Sequence, residues 1–146
     1  DKRNQKFMTS SGFKSKFRQA IPLISETYAL ENGYEFDIYK KLENEMITRI
    51  SFFANTIDSL KNEDVKVSKR LKIPRSRLKG FEYGKVGPVD NGDFVGGNKA
   101  VALSFSTTLP NLIETLDDTD ISYFFDIGNV WEVDYSSAVD NSNTIR

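Results

Sequence analysis

Apolar and polar residues alternate with a period of two in five separate segments of the chain. Adjacent side chains of a β-strand point to opposite faces of the sheet, whereas a helix that packs on one side needs an apolar residue every three or four positions. The segments are residues 13–21, 34–42, 46–55, 101–106 and 121–128. They are rich in β-branched and aromatic residues, which favours strands. The pattern predicts an all-β fold, an antiparallel meander of about five complete strands.

The connections between these segments differ greatly in length. We expect a tight turn at residues 43–45, a modest loop at 25–33, a helical candidate interrupted by proline at 109–118, a second polar loop at 132–143, and the start of a further strand at 144–146. Residues 58–98 form the longest connection and show no convincing periodicity. Long loops of this kind are uncommon and usually functional. We find no domain boundary, and treat residues 1–146 as one domain.

The alternation does not say which face of the sheet meets water, and two interpretations are open. In a soluble sheet the Phe and Ile residues lie inside, whereas in an outer-membrane barrel they face lipid around a polar lumen. Strands of roughly ten residues suffice to cross a bilayer when tilted. The strand lengths, the short turns and long loops, and aromatic residues near strand ends favour the barrel; these aromatics are Phe13, Tyr34, Tyr123 and Trp131. Because bacterial barrels have at least eight strands, we expect part of a larger transmembrane barrel.

Composition excludes several kinds of active site. The chain has no Cys and no His, so thiol chemistry, disulfides, Ser-His-Asp triads and His-based zinc sites are impossible. A net charge of −1 gives no global bias toward nucleic acid. No run of about 18 apolar residues predicts a transmembrane helix, and the first residues do not look like a signal peptide. We therefore expect no enzyme, no cofactor and no metal.

Five short motifs occur along the chain in a fixed order. They are D-x-R-x-x-x-F with Gly12 at residues 1–12, R-L-K-G-F-E at 77–82 with V-G-P at 86–88, V-G-G-N at 95–98, F-F-D-I-G-N-V-W at 124–131, and N-T-I-R at 143–146. Together they resemble the BamA family, the outer-membrane protein assembly factors of the bacterial surface-antigen barrel superfamily. Thr9 and Ser10 depart from the Pro-Thr pair of that family. The resemblance implies that the chain is a C-terminal barrel fragment whose residues 58–98 are an extracellular loop folded into the lumen.

The resemblance also implies a latch between this loop and the barrel wall. In the family an arginine at the loop tip pairs with an aspartate of the wall, and here Lys79 and Asp126 occupy these positions, with Gly80 and Phe81 completing the tip. Lysine is a departure, because it cannot bind a carboxylate through two parallel N–H bonds. Arg77 is the alternative partner of Asp126. We expect Gly80 where the backbone approaches the wall closely, with Phe81 packed beside it. The candidate supporting residues are Arg77, Glu82, Gly96, Gly97 and Asn98.

Two charged clusters have simpler explanations than a binding site. Six cations lie within eleven residues, namely Lys69, Arg70, Lys72, Arg75, Arg77 and Lys79. No aromatic residue interrupts them, so a solvated loop or a lumen lining is favoured over nucleic acid, and Glu35 and Asp37 are possible partners on the wall. Residues 90–93 lack the spacing of a calcium loop and are interpreted as a turn.

The expected function follows from the resemblance. It implies a barrel segment, integral to the bacterial outer membrane, that helps fold and insert other barrel proteins. The implied partners are outer-membrane lipid, nascent outer-membrane β-barrel proteins and accessory lipoproteins of the assembly complex. A polypeptide secretion transporter of the same superfamily and a soluble β-sheet binding domain are the alternatives.

Overall fold

The computed structural model describes residues 11–22, 28–43, 46–61, 63–109 and 121–134, together with the backbone of residues 139–140. Five long strands form one sheet. They are β1 (Gly12–Ala20), β2 (Ala29–Lys41), β3 (Ile47–Ser59), β6 (Lys99–Leu109) and β7 (Ile121–Trp131). The shorter strands are β4 (Val89–Asp90), β5 (Asp93–Phe94) and β8 (Val139–Asp140). A 3-10 turn spans Val67–Lys69.

The long strands pair in the order β1-β2-β3-β6-β7, and each pair is antiparallel. Each long strand therefore pairs with the long strand that precedes or follows it in the chain, and β3 pairs with β6 across the long connection. The prediction of an all-β antiparallel meander of five strands is confirmed. Within the described residues the sheet is open at β1 and β7, which is consistent with part of a barrel.

Several strand ends differ from the prediction. β2 begins at Ala29 and not at Tyr34, so the second half of the expected loop at 25–33 is strand. Ala29 pairs with Ser59, which also carries β3 four residues beyond its predicted end. This extension lacks alternation because Glu31, Asn32 and Gly33 interrupt it, and cross-strand pairing alone defines it. Tyr34 consequently lies inside β2 and not near its end.

Other expectations fall partly or wholly outside the described residues. The turn after β2 is closed by a hydrogen bond from the Leu42 N–H to the Met46 carbonyl, 2.8 Å, although Asn44 and Glu45 are not described. β6 continues through Leu109, and the rest of the helical candidate at 109–118 lies outside the described residues. The motifs at residues 1–10 and 143–146 lie outside it as well.

The register places most of the large apolar residues of the five strands on one face, which we call the outward face. A transverse row is the set of residues, one from each long strand, that the register aligns across the sheet. Three successive rows of the outward face carry many of these apolar residues: Phe13, Ile38, Ile50, Phe105 and Phe125; then Ser15, Phe36, Phe52, Leu103 and Ile127; then Phe17, Tyr34, Ala54, Val101 and Asn129. Many of these side chains are exposed, with Phe13 75% and Phe125 66% accessible. A soluble sheet would cover such rows, so their exposure favours the lipid-facing interpretation.

The opposite, inward face is covered in part by the long connection between β3 and β6. The buried apolar cluster joins side chains of the sheet to side chains of this connection. The sheet contributes Phe53, Ile57, Ala100, Ala102 and Val130, and the connection contributes Val65, Leu71, Ile73, Leu78 and Val86. The apolar core of the described residues therefore lies between the connection and the inward face.

The long connection has more internal structure than its lack of periodicity predicts. It runs between Ser59 and Lys99, so the expected loop at 58–98 loses its first residues to β3. β4 and β5 form a hairpin whose turn residues Asn91 and Gly92 have φ of 49° and 90°, as a two-residue type I′ turn requires. The interpretation of residues 90–93 as a turn is confirmed. β4 also pairs with β8, so the expected polar loop at 132–143 contains a strand.

Among the described residues, no helix has the length and apolar character needed to span a membrane.

Candidate functional site

The site lies where the tip of the long connection, residues 77–81, contacts one transverse row of the inward face. The register aligns five residues in this row, one from each long strand: Lys14, Asp37, Ser51, Ser104 and Asp126. Two acids thus stand on β2 and β7 with two serines between them. Three interstrand spacings separate β2 from β7, a distance of about 14 Å. The loop tip places one cation at each acid.

Lys79 lies at the acid on β7. Its Nζ is 3.1 Å from both carboxylate oxygens of Asp126, and its backbone N–H donates to Oδ2 at 2.6 Å. The same Nζ lies 3.2 Å from the Ser104 hydroxyl, which in turn donates to Asp126. The Asp126 side chain is only 2% exposed, whereas that of Lys79 is 37% exposed. The carboxylate is therefore held by backbone, hydroxyl and ammonium donors together.

Arg77 does not reach Asp126 and lies instead at the acids on β2. Its Nη2 donates to Glu35 Oε2 at 2.7 Å, and its Nη1 donates to Asp37 Oδ1 at 2.9 Å and to the Ser51 hydroxyl. Asp37 also accepts from Arg49, whose Nη2 is 2.8 Å away. The side chains of Arg77 and Asp37 are 10% and 6% exposed. The second site is consequently a cluster of two acids and two arginines, in which Asp37 and Arg77 are buried and Glu35 and Arg49 are partly exposed.

The local sequence explains why Arg77 contacts β2 while Lys79 contacts β7. The Arg77 N–H donates to the Pro74 carbonyl at 2.9 Å, which closes a turn before the tip. Leu78, between the two cations, is 4% exposed and belongs to the apolar core. Because Leu78 is anchored there, Arg77 and Lys79 are held against the wall on either side of it.

The two remaining residues of the tip differ from expectation. Gly80 has φ of +81°, and no atom outside residues 79–81 lies within 4 Å of the position that a Cβ would occupy. Glycine is needed there for its left-handed backbone, so the expected close approach to the wall is wrong. Phe81 is 43% exposed and borders a small cleft with Ile73 and Val86, so it is not packed tightly against the wall.

The supporting candidates are spread over the loop and do not meet at its tip. Glu82 is 69% exposed and forms an ion pair with Lys85 at 3.2 Å within the loop. A Cβ on Gly96 would lie 2.8 Å from the Leu71 carbonyl oxygen, and one on Gly97 would lie 2.5 Å from that of Trp131. These glycines therefore allow close approaches of backbone where the loop rejoins the sheet.

Asn98 belongs to the base of the loop, where the structure reveals a residue that the sequence did not indicate. The carboxylate of Asp134 accepts the Val65 N–H at 2.9 Å and also the side-chain amide of Asn98. One acid therefore joins the first part of the loop to its last residue. Asp134 lies in a polar segment with no distinguishing pattern, so sequence reasoning offered no signal for it.

Three further residues of the site were also missed. Ser51, Ser104 and Arg49 all sit in the polar sets of the alternating segments, which was the available signal, but only the register shows that they meet the loop cations. The basic run itself is not uniformly solvated, because Arg70 and Arg77 are buried while Lys69 and Arg75 are exposed. Within the described ranges no group of three or more acids could hold a metal ion.

The arrangement as a whole docks the loop onto the sheet through electrostatic contacts.

Comparison with known families shows which superfamily the chain belongs to. The Omp85 superfamily domain matches residues 1–146, the whole of the chain. The comparison with curated proteins finds no match. Members of this superfamily are associated with the outer membrane, where they act in insertion or transport. The complete match and the five-stranded meander establish that this chain belongs to the Omp85 superfamily.

Proposed function

We propose that this chain is the barrel segment of an assembly factor of the BamA type, which folds and inserts β-barrel proteins into the bacterial outer membrane. The observation that carries the proposal is the contact of Lys79 with Asp126, since the resemblance implies a loop-tip cation and a wall aspartate at these two positions. Under this proposal the chain has no enzymatic activity. Its partners are outer-membrane lipid, nascent barrel proteins and accessory lipoproteins.

The latch has a physical role in this function. A carboxylate that is 2% exposed is costly to leave without a partner, so docking of the loop and pairing of Asp126 stabilise each other. The loop covers the apolar part of the inward face, and its contacts with β2 and β7 hold strands that are not neighbours. A loop docked in this way supports a wall of defined curvature while other parts of the full-length protein receive the client.

Substitutions at the latch in the full-length protein test the proposal. Lys79→Ala keeps the backbone N–H that donates to Asp126, so we expect a moderate loss of assembly activity. Asp126→Ala removes the acceptor of both donors, so we expect a larger loss. Lys79→Arg preserves the charge and should be tolerated. Lys85→Ala is the matched control, because Lys85 pairs only with the exposed Glu82 among the contacts described for it.

The readouts are the rate at which a barrel protein is assembled in proteoliposomes and the shift in gel mobility on heating. Assembly rates and heat-modifiable mobility equal to wild type in both alanine variants would reject the latch.

Depletion of the protein in cells distinguishes assembly from secretion, the other activity expected in this superfamily. Depletion should lower the amounts of many outer-membrane barrel proteins at once. If instead the barrel proteins stay at normal levels and one secreted polypeptide accumulates in the periplasm, the protein is a secretion transporter and the proposal is wrong.

A further inference from the structure

We propose that Arg77 is the principal anchor of the loop tip, and that its receptor is the cluster of Glu35, Asp37 and Ser51 on the wall. This inference rests on the proposed function in one respect, since it assigns to Arg77 a positioning role in the docked loop. It differs from the latch between Lys79 and Asp126 in the residue, in the strand and in the chemistry of the contact.

Burial and the number of acceptors favour Arg77 over Lys79. The Arg77 guanidinium contacts three residues of two strands, at 2.7 Å from Glu35, at 2.9 Å from Asp37 and within hydrogen-bond reach of Ser51. Its side chain is 10% exposed, whereas the side chain of Lys79 is 37% exposed. Ion pairs screened by water contribute little, and those with limited access to water contribute more when they are fully hydrogen-bonded.

The two contacts also differ in what the side chain itself supplies. Part of the Lys79 contact comes from its backbone N–H, 2.6 Å from Asp126, which any residue except proline would provide. The Arg77 contact with the wall is made through the two terminal nitrogens of its side chain. Loss of the side chain therefore removes the whole wall contact at position 77 but only a part of it at position 79.

The receptor matches a guanidinium specifically. Glu35 and Asp37 are two positions apart on β2, so both carboxylates project from the inward face about 7 Å apart along the strand. The planar fork of arginine reaches one acid with each terminal nitrogen, whereas the ammonium of lysine is a single point of charge. We therefore expect Arg77→Lys to keep little of the loop docking that the native arginine provides.

Release of Arg77 should free the loop without unfolding the wall. Lys14 and Lys16 stand opposite Asp37 and Glu35 in the register of β1 and β2, and Arg49 already donates to Asp37. Cations opposite these acids remain available after Arg77 is removed, so neither carboxylate is left without neutralising charge. The effect of the substitution should consequently appear in the loop and not in the sheet.

Hydrogen exchange measured by mass spectrometry on the full-length protein tests the inference. In Arg77→Ala we expect amide exchange in loop residues 72–85 to accelerate by about tenfold or more. In Lys79→Ala we expect acceleration of about threefold or less, because the backbone donor is kept. Arg75→Ala is the matched control, since it removes the same charge from an exposed arginine of the same turn. Exchange in β2 and β3 should stay unchanged in all three variants.

A double substitution separates a specific contact from a general loss of charge. If Arg77 acts through Glu35, then adding Glu35→Gln to Arg77→Ala should accelerate loop exchange no further. The inference is wrong if Lys79→Ala frees the loop more than Arg77→Ala does, or if Arg75→Ala frees it equally.

Assembly rates of the same variants keep this inference distinct from the proposed function. Faster loop exchange in Arg77→Ala with normal assembly by every variant would support the anchor and reject the proposed latch function. Reduced assembly in Lys79→Ala alone, with loop exchange unchanged in Arg77→Ala, would reject the anchor and leave the proposed function intact.

Discussion

Asp134 offers a sharp test of how the base of the long loop is held. Its carboxylate accepts the N–H of Val65 and the side-chain amide of Asn98, residues that are 3% and 4% exposed. Asp134→Ala leaves both donors without their acceptor. A hydrogen bond to a charged group contributes about 1.5 to 3 kcal/mol, and a buried donor left unpaired costs a similar amount. Because Asp134 itself is exposed, water can reach part of the site and limit the loss.

We therefore expect the loop base to lose about 2 kcal/mol, equivalent to about a thirtyfold rise in its opening equilibrium. Hydrogen exchange of a peptide covering residues 63–71 measures this change directly, since it contains the Val65 amide. Asp134→Asn keeps one acceptor oxygen and should give an intermediate rise. Asp93→Ala, in the exposed strand of the hairpin, is the control. Unchanged exchange at Val65 in Asp134→Ala, or an equal rise in the control, would show that Asp134 does not hold the base of the loop.

Two further predictions concern the glycines of the long connection and the outward face of the sheet. Gly97→Ala places a Cβ 2.5 Å from the Trp131 carbonyl oxygen, a backbone atom, and should cost about 3 kcal/mol. Gly80→Ala, at an open position with φ of +81°, should cost only about 1 kcal/mol, and equal shifts in thermal unfolding would contradict this contrast. Leu103→Lys on the outward face should destabilise the protein in a bilayer by about 2 to 4 kcal/mol. Leu103→Ala is its control, and equal folding free energies in lipid would show that Leu103 does not face the membrane.

The sequence predicted the strands well because period-two alternation is a property of each segment by itself. It failed at residues 29–33, where pairing with β3 and not a local pattern defines the strand. It also failed in the long connection, whose hairpin consists of two-residue strands that are too short to show alternation. The strand β8 was missed for the same reason, since it is defined by its contact with β4.

The candidate site was predictable only in part. The positions of Lys79 and Asp126 came from the resemblance, and the structure brings these residues together. The partners of Arg77 depend on the register of β2 and β3 and on the path of the loop, and a basic run alone does not reveal which of its members will be buried. The reason expected for Gly80 was wrong, because the sequence alone does not distinguish a glycine needed for a close approach of the backbone from one needed for a left-handed backbone conformation.

The central claim is that the outward face of the sheet meets lipid and the inward face meets an enclosed aqueous lumen. Leu103 and Lys16 lie on opposite faces of the sheet, and each lies near the middle of its strand. The chain has no cysteine, so Leu103→Cys and Lys16→Cys, each in a full-length protein without other cysteines, can carry a single bimane label. Quenching of bimane fluorescence by bilayer lipids with brominated acyl chains measures contact with lipid. We predict strong quenching at position 103 and almost none at position 16, and equal or reversed quenching would contradict the account.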